Sequence, residues 1–469
     1  MATGAKSNTR EGSKVDHVIE SLTINVFFDG TNNNLYNVGG NASLGDSYAN
    51  DFSNVARLFQ SAKDADSKSL SIYVEGIGTD QGVSDSTVGF AFGSGTTGIT
   101  SRADEAFTLI KDGIKEKFSK ETIHKISFNV FGFSRGAATA RHFVYHLNTQ
   151  SSTGNTLRVM KSWGVPVKNI SVNLLGIFDT VSSYDNNFDN YEGKSKSSAS
   201  WEGMKDVWSG KKSSPNFDND TTQLALKISK GHARRVFHIC AQDEYRLFFS
   251  LTNINSAKDK GFGYEVYLPG AHSDIGGGYN DFKGAEKFDV TRIKSPSDML
   301  DKTLFNWFKS QGFFDTAHKT TNLKIITERY VARGPISNAY GRVHFKTMRL
   351  MAEKESKVIF KKSQIKSKET ISSDQPDIKK LMNSLPANII AKAKWGVSWK
   401  QGFDHHFTAL KGSLPHFRHR YVHWSSKNAM GYDLRRGVIS GNDSDLNHLK
   451  NAKLGFDQSL LPIRKIING

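Results

Sequence analysis

The chain has 469 residues, 37% of them hydrophobic, with 31 Phe, one Cys and a formal net charge of +17. That length allows two or three domains with sizeable cores, and no apolar run approaches the roughly 18 residues that a membrane-spanning helix needs. The single Cys240 excludes an internal disulfide and any cysteine cluster for zinc or iron–sulfur.

Residues 1–17 are polar and read as a disordered leader. They lack the apolar core of a secretory signal, so conventional export is not expected. "SLTINVFFDGTNNN" reads as a buried strand over 22–28 that runs into a turn-rich loop, and "SLSIYVEGIGTD" repeats the pattern at 69–74. A segment rich in Gly, Ser and Thr follows at 81–101. Ala106, Ile110 and Ile114 then recur at helical spacing. "HKISFNVFGF" is another apolar strand, followed at once by a helix from about Arg135 to Leu147. A strand at 170–178 ends at Asp179. Residues 185–222 are polar and read as a surface insertion, and "RRVFHICAQDEYRLFF" and "GYEVYLPGAHSDIGGGY" supply two further strands. Strands alternating with helices predict an α/β domain over 18–330, its mostly parallel sheet covered by helices on both faces.

Beyond residue 330 the pattern degrades and the charge shifts. Residues 331–469 hold 25 Lys and Arg against 10 Asp and Glu, whereas the residues before them hold 38 against 36. Such a bias suits an anionic partner (nucleic acid, anionic lipid or an acidic protein) or simply a solubilising surface. Trp395, Trp399, Phe403, Phe407, Phe417, Tyr421 and Trp424 lie among these basic residues. They suit the core of a small second domain, or a membrane-docking face at the headgroup level.

Gly132-Phe133-Ser134-Arg135-Gly136 fits G-x-S-x-G between a strand and a helix. In a nucleophile elbow the serine occupies a strained turn, small neighbours relieve the crowding, and the helix N-terminus points its N–H groups at the reacting centre. A serine nucleophile needs a base, and the base needs a carboxylate. Asp179 and His272 each follow a later strand, and the order Ser134, Asp179, His272 is that of α/β-hydrolases. Asp243 is a rival acid, but Glu244 and Arg246 beside it favour a structural ion pair. Asp274 suits a brace for the glycine turn or a hydrogen bond across the site. His142 and His146 are four residues apart on the elbow helix without a glutamate motif, and read as ordinary histidines. The oxyanion donors expected are the backbone N–H of Arg135, whose side chain is given no catalytic part, and that of Gly30 or Thr31 in "FFDGTNNN". The same loop offers Asp29 and asparagine oxygens to a cation, a weaker alternative. The glycines of 86–98 lack a phosphate-loop pattern and read as a mobile wall beside the site.

Together "VFFDGTNNN", "YVEGIGTD", "FGFSRGAATARHF", "LGIFDTV" and "LPGAHSDIGGGY" resemble, in order, the blocks of the first family of type VI secretion lipase effectors, antibacterial phospholipases with an α/β-hydrolase catalytic domain. The resemblance covers about residues 20–280. It implies hydrolysis of phospholipid acyl esters, of A1 or A2 type, with nucleophile, acid and base on Ser134, Asp179 and His272. No cofactor, no metal and no nucleic-acid partner are expected. It also implies a chain made in the cytoplasm and injected into a rival cell's periplasm, with a spike protein, an adaptor and a cognate immunity protein as partners. Residues 331–469 fall outside the resemblance and are expected to dock a membrane or the spike. A soluble esterase, thioesterase or acyltransferase on the same triad is the alternative.

Overall fold

Leu22, Ile24, Val26 and Phe28 alternate along strand β1 (Leu22–Phe28), and Phe27 between them is buried as well. A strand apolar on both sides belongs inside a sheet covered on both faces. The protein is described here by a computed structural model, which covers residues 17–86, 93–148, 155–184, 220–246, 248–281, 286–289, 307–308, 310–313, 330–333, 336–400, 403–408, 410, 414–426 and 464–469. After β1 come β2 (Ser69–Val74), β3 (Ile126–Phe133), β4 (Ile170–Phe178), β5 (Arg235–Ala241), the two-residue β6 (Leu251–Thr252), β7 (Gly263–Leu268), β8 (Val397–Trp399) and β9 (Ile466–Ile467). Among the described residues, seven of them form one sheet in the order β8-β7-β5-β4-β3-β1-β2, with every neighbouring pair parallel. β9 pairs with β6 apart from that sheet.

The chain leaves β1 outward to β2 and then returns to β3 on the other side of β1. This reversal opens a crevice between the C-terminal ends of β1 and β3, where open α/β sheets bind ligands. Helices α1 (Asn54–Ala62), α2 (Ile99–Lys117), α3 (Arg135–Asn148), α4 (His272–Gly276), α5 (Gly341–Ser356) and α6 (Pro376–Ala391) surround the sheet. On one face Phe107 and Ile110 of α2 and Phe143 and Val144 of α3 pack on Ile24, Phe128 and Ile177. On the other, Leu58 of α1, Val343 and Met348 of α5 and Leu381 of α6 pack on Phe27, Phe131 and Phe237. The architecture is the expected α/β one, α/β-hydrolase-like with a mostly parallel sheet.

The described residues beyond 336 therefore supply much of the helical cover on this face. Phe403, Phe407, Phe417, Tyr421 and Trp424 are buried in the same core as Phe27 and Phe131, and Trp395 and Trp399 pack partly buried against it. The five buried side chains are enclosed in this core. The shift in charge near residue 330 has no counterpart in the packing of the described residues. Residue 17 already begins a short strand, His17–Ile19, parallel to Glu121–Ile123. The leader over 1–16, most of the polar insertion (185–219) and residues 87–92 of the glycine loop lie outside the described residues.

Candidate active site

Strand β3 ends at Phe133 and α3 begins at Arg135, so the whole turn is made by one residue, Ser134, with φ +59°. This left-handed conformation is uncommon for a residue with a side chain and marks strain held by its surroundings. The Ser134 N–H donates to the Phe178 carbonyl, and its own carbonyl accepts from Ala137 and Val181. Both elbow glycines answer a steric demand. A Cβ on Gly132 would sit 2.5 Å from the Gly136 carbonyl oxygen, and one on Gly136 would sit 2.1 Å from that of Asp29. The first turn of α3 thus rests directly on the end of β1.

Asp179 follows β4, is fully buried and has φ +42°. His272 opens α4 after β7. The three side chains form one hydrogen-bonded chain: His272 Nδ1 lies 2.6 Å from Asp179 Oδ2, and His272 Nε2 lies 2.7 Å from Ser134 Oγ. Phe133 and Phe249 flank the imidazole, with ring centroids 4.6 and 5.1 Å away. Burial lowers the pKa of His272, and the Asp179 carboxylate opposes that shift. The ring is thereby kept neutral and ready to accept a proton. Burial works against the ionised Asp179, but the Arg464 guanidinium and His272 outweigh it and hold the carboxyl well below its usual range.

Arg464 was not legible as a site residue. Its Nη1 and Nη2 donate to Asp179 Oδ1 and Oδ2 at 2.7 and 2.8 Å, a bidentate pair on the same carboxylate that receives His272. The Ala241 N–H adds a third donor, to Oδ1. Glu244 is a second hidden contributor. It accepts the His272 backbone N–H, pairs with Arg246 at 2.9 Å, receives Ser425 Oγ, and is held at a pKa of about 2 chiefly by Arg246 against the cost of burial. Asp243 is structural, as expected, but its cation is Arg418 at 3.1 Å rather than Arg246; it also accepts the Gly270 N–H. Asp274 braces the turn through the Ala271 N–H, and its other oxygen meets His423 Nδ1 at 2.6 Å. His142 Nδ1 hydrogen-bonds the Leu224 carbonyl, and burial pushes its pKa down to about 4.

The loop after β1 closes the site. Of the two donors expected from it, the Gly30 N–H is already given to Asp29 Oδ1 at 2.7 Å. The Thr31 N–H has no hydrogen-bond partner among the described residues. Arg135 contributes more than a backbone: its buried side chain crosses to this loop, and Nε donates to Thr31 Oγ1 at 2.8 Å. A Cβ on Gly93 would touch the same guanidinium at 3.4 Å, so the described end of the glycine loop lies against Arg135. Asp29, fully buried, also accepts from Tyr73 Oη at 2.7 Å. Burial raises its pKa to about 6, against hydrogen bonds from Ser53, Tyr73 and Gly30.

Among the described residues, His238, Cys240 and Glu265 bring three possible metal-ligand atoms within 4.8 Å of one another. His238 and Glu265 are already engaged by other partners. Glu265 receives His238 Nδ1, Tyr267 Oη, Ser398 Oγ and the Ile254 N–H, while His238 Nε2 accepts the N–H of Thr180. This is a buried polar network that anchors the residue after Asp179.

A family model described as "T6SS, Phospholipase effector Tle1-like, catalytic domain" matches residues 23–150 and 147–311, which is more than half of the chain. The chain belongs to this family of type VI secretion phospholipase effectors. The crevice and its Ser134–His272 contact lie within the matched span, whereas Arg464 and α5 and α6 lie beyond it. No curated protein matches the chain. Among solved structures, the chain is similar to a Tle1 effector bound to the VgrG spike of the type 6 secretion system. The TM-score is 0.54 at 23% identity, over 91% of this chain and 89% of that one. A second, an uncharacterized protein from Pseudomonas aeruginosa, gives 0.43 at 15% identity over 85% of this chain and 56% of that one. The similarity thus extends beyond residue 330, where α5 and α6 pack on one face of the sheet.

Proposed function

We propose that this Tle1-like effector hydrolyses the acyl esters of membrane phospholipids, as a phospholipase of A1 or A2 type, through a Ser134–His272–Asp179 triad. The observation that carries the reading is the continuous hydrogen-bonded chain from Ser134 Oγ through both ring nitrogens of His272 to Asp179. It sits at the crevice where the sheet order reverses.

In this reading Ser134 Oγ attacks the ester carbonyl carbon while His272 Nε2 takes the hydroxyl proton. Negative charge collects on the carbonyl oxygen, and the N–H groups of Arg135 and Thr31 meet it. The bond from carbonyl carbon to alkoxy oxygen breaks, Nε2 returns the proton to that oxygen, and the lysophospholipid leaves. Water then attacks the acyl-serine, giving its proton to His272. The fatty acid departs as the proton goes back to Ser134. Asp179 fixes the Nδ1–H tautomer and stabilises the imidazolium in both halves. Delivery follows the family: loading on a VgrG-type spike, with an adaptor where one is used, injection to the target periplasm, and an immunity protein in the producer.

Product analysis on defined phospholipids tests the reading. Wild type is expected to release free fatty acid and a lysophospholipid, and the acyl chain released identifies the position cleaved. Ser134→Ala is expected to release neither. Release of a phosphorylated headgroup, or hydrolysis confined to short-chain soluble esters or thioesters, would overturn it.

A further inference from the structure

We propose that Arg464 is a positioning residue of the hydrolase. It acts through Asp179, holding the carboxylate in the rotamer that faces His272 and compensating its charge, and it is brought there by the docked segment 464–469. The inference rests on the triad proposed above.

The segment is fixed to the loops that carry the site. Strand β9 lies parallel to β6, with Ile466 opposite Leu251 and Ile467 opposite Thr252. Leu251 bridges in turn to Val181, two residues past Asp179. The N–H groups of Leu251, Asn253 and Ser256 donate to the carbonyls of Lys465, Ile467 and Gly469, and the Asn468 side-chain carbonyl accepts from Asn253 and Asn255. This ladder delivers a guanidinium that is only 8% exposed. Nη1 also donates to the Ala241 carbonyl, and Nε and Nη2 to that of Phe249. Every donor contact of the fork is thus to Asp179 or to the backbone that surrounds it. The planar fork fixes both carboxylate oxygens at once, which an ammonium cannot do.

The electrostatic consequence has a definite sign. An uncompensated Asp179 carboxylate would stabilise the His272 imidazolium too strongly and leave the base protonated at higher pH. The charged groups acting on His272 are Asp179 at the end of β4, with Arg464 behind it on the same carboxylate, and Glu244 and Arg246 after β5; Asp274 on its own helix is occupied by His423. Loss of Arg464 removes one of the two cations in this set.

The test compares pH profiles of kcat/KM for the full chain as wild type, Arg464→Met, Arg464→Lys and Asp179→Asn, and for Asp179→Asn carrying Arg464→Met. Arg464→Met is expected to lower kcat with little change in KM and to move the acid limb up by about one pH unit. At a pH on that limb this is about a tenfold loss in addition to the pH-independent one. Arg464→Lys keeps the charge and loses the fork, so it should restore the limb but only part of kcat. With Asn at position 179, Arg464→Met should have no further effect on the profile, because the residue it acts through has lost its charge. An Arg464→Met protein that melts as wild type does and keeps the wild-type limb would overturn the inference, as would an equal loss with or without the Asp179 carboxylate. Should Arg464→Met fail to fold, the Arg464→Lys profile alone decides: an unmoved limb with reduced kcat supports the inference, and wild-type kcat overturns it. Retained activity in Ser134→Ala would instead sink the triad reading, which separates the two failures.

Discussion

Gly136→Ala adds one methyl group at the place where the elbow helix rests on β1. The new Cβ would lie 2.1 Å from the Asp29 carbonyl oxygen and 2.5 Å from that of Phe28, both of them backbone atoms that cannot rotate away. To reach even a tight 3.0 Å contact, α3 must withdraw from β1 by about 1 Å. Withdrawal separates the two parts of the site that must converge: Ser134 and the Arg135 N–H move with α3, while the Thr31 loop stays with β1. Overpacking of this kind costs about 1–3 kcal/mol of stability, and a misplacement of about 1 Å at reacting groups costs on the order of 10²-fold in rate. The measurements are a thermal or urea melt and fatty-acid release from phospholipid. Gly341→Ala is the control, since its Cβ would meet Asp274 O at an ordinary 3.5 Å in the first turn of α5, where Ala is favoured over Gly. That variant should be as stable as wild type or more so, and as active. A Gly136→Ala protein with wild-type rate would refute the claim that contact between α3 and β1 sets the site.

Two further outcomes follow from the loop after β1. Arg135→Lys and Thr31→Val each remove the 2.8 Å bond between Nε and Oγ1, so each should lower kcat, and the double variant should lose no more than the worse single one; fully additive losses in the hydrolysis assay would show that the two side chains act independently. Asp29, raised from 3.8 to about 6 by burial, binds a proton more readily folded than unfolded, so its contribution favours the fold at low pH and is lost as pH rises from about 4 through 6. Urea melts across that window should show wild type losing about 2 kcal/mol of stability relative to Asp29→Asn, and parallel pH dependences would contradict a buried, titrating Asp29.

The parts of the site legible in the sequence are those whose chemistry is written in neighbouring residues. The elbow is local: an apolar strand, a serine between glycines and small residues after it leave few conformations, and the observed φ of Ser134 is the one such a turn requires. Asp179 and His272 were readable as site candidates because each ends an unmistakable strand. The choice between Gly30 and Thr31 was not readable. It depends on whether the Asp29 side chain folds back on the next N–H, and that rotamer is set by Tyr73, forty-four residues away. Arg464 was hidden for a stronger reason. It lies 285 residues from the carboxylate it clamps, and nothing around it in the sequence marks a site. The stretch "EKESKVIFKKSQIKSKETISSDQPDIKK" looked irregular because its lysines crowd the apolar periodicity. It nonetheless contains the end of α5, a helix over Lys362–Glu369 and the start of α6.

The same burial changes the meaning of the basic last third. Its positive excess looks like a surface field when residues are counted along the chain. In space, two of its arginines are internal counterions for acids of the first part: Arg418 pairs with Asp243 after β5, and Arg464 with Asp179 after β4. Both carboxylates are essentially inaccessible, and breaking such a buried pair costs about 3–5 kcal/mol. Arg349, paired with Glu353 and Glu369, is likewise committed within the segment. The near neutrality of residues 1–330 and the excess beyond them are therefore partly two halves of one arrangement, in which acids at the strand ends of the sheet await cations from the helical layer and tail that cover it. Among the described residues, the lysines left at the surface for an anionic partner include those of Lys362–Glu369, where no residue is buried, whereas most of the aromatic residues of the segment are taken up by the core.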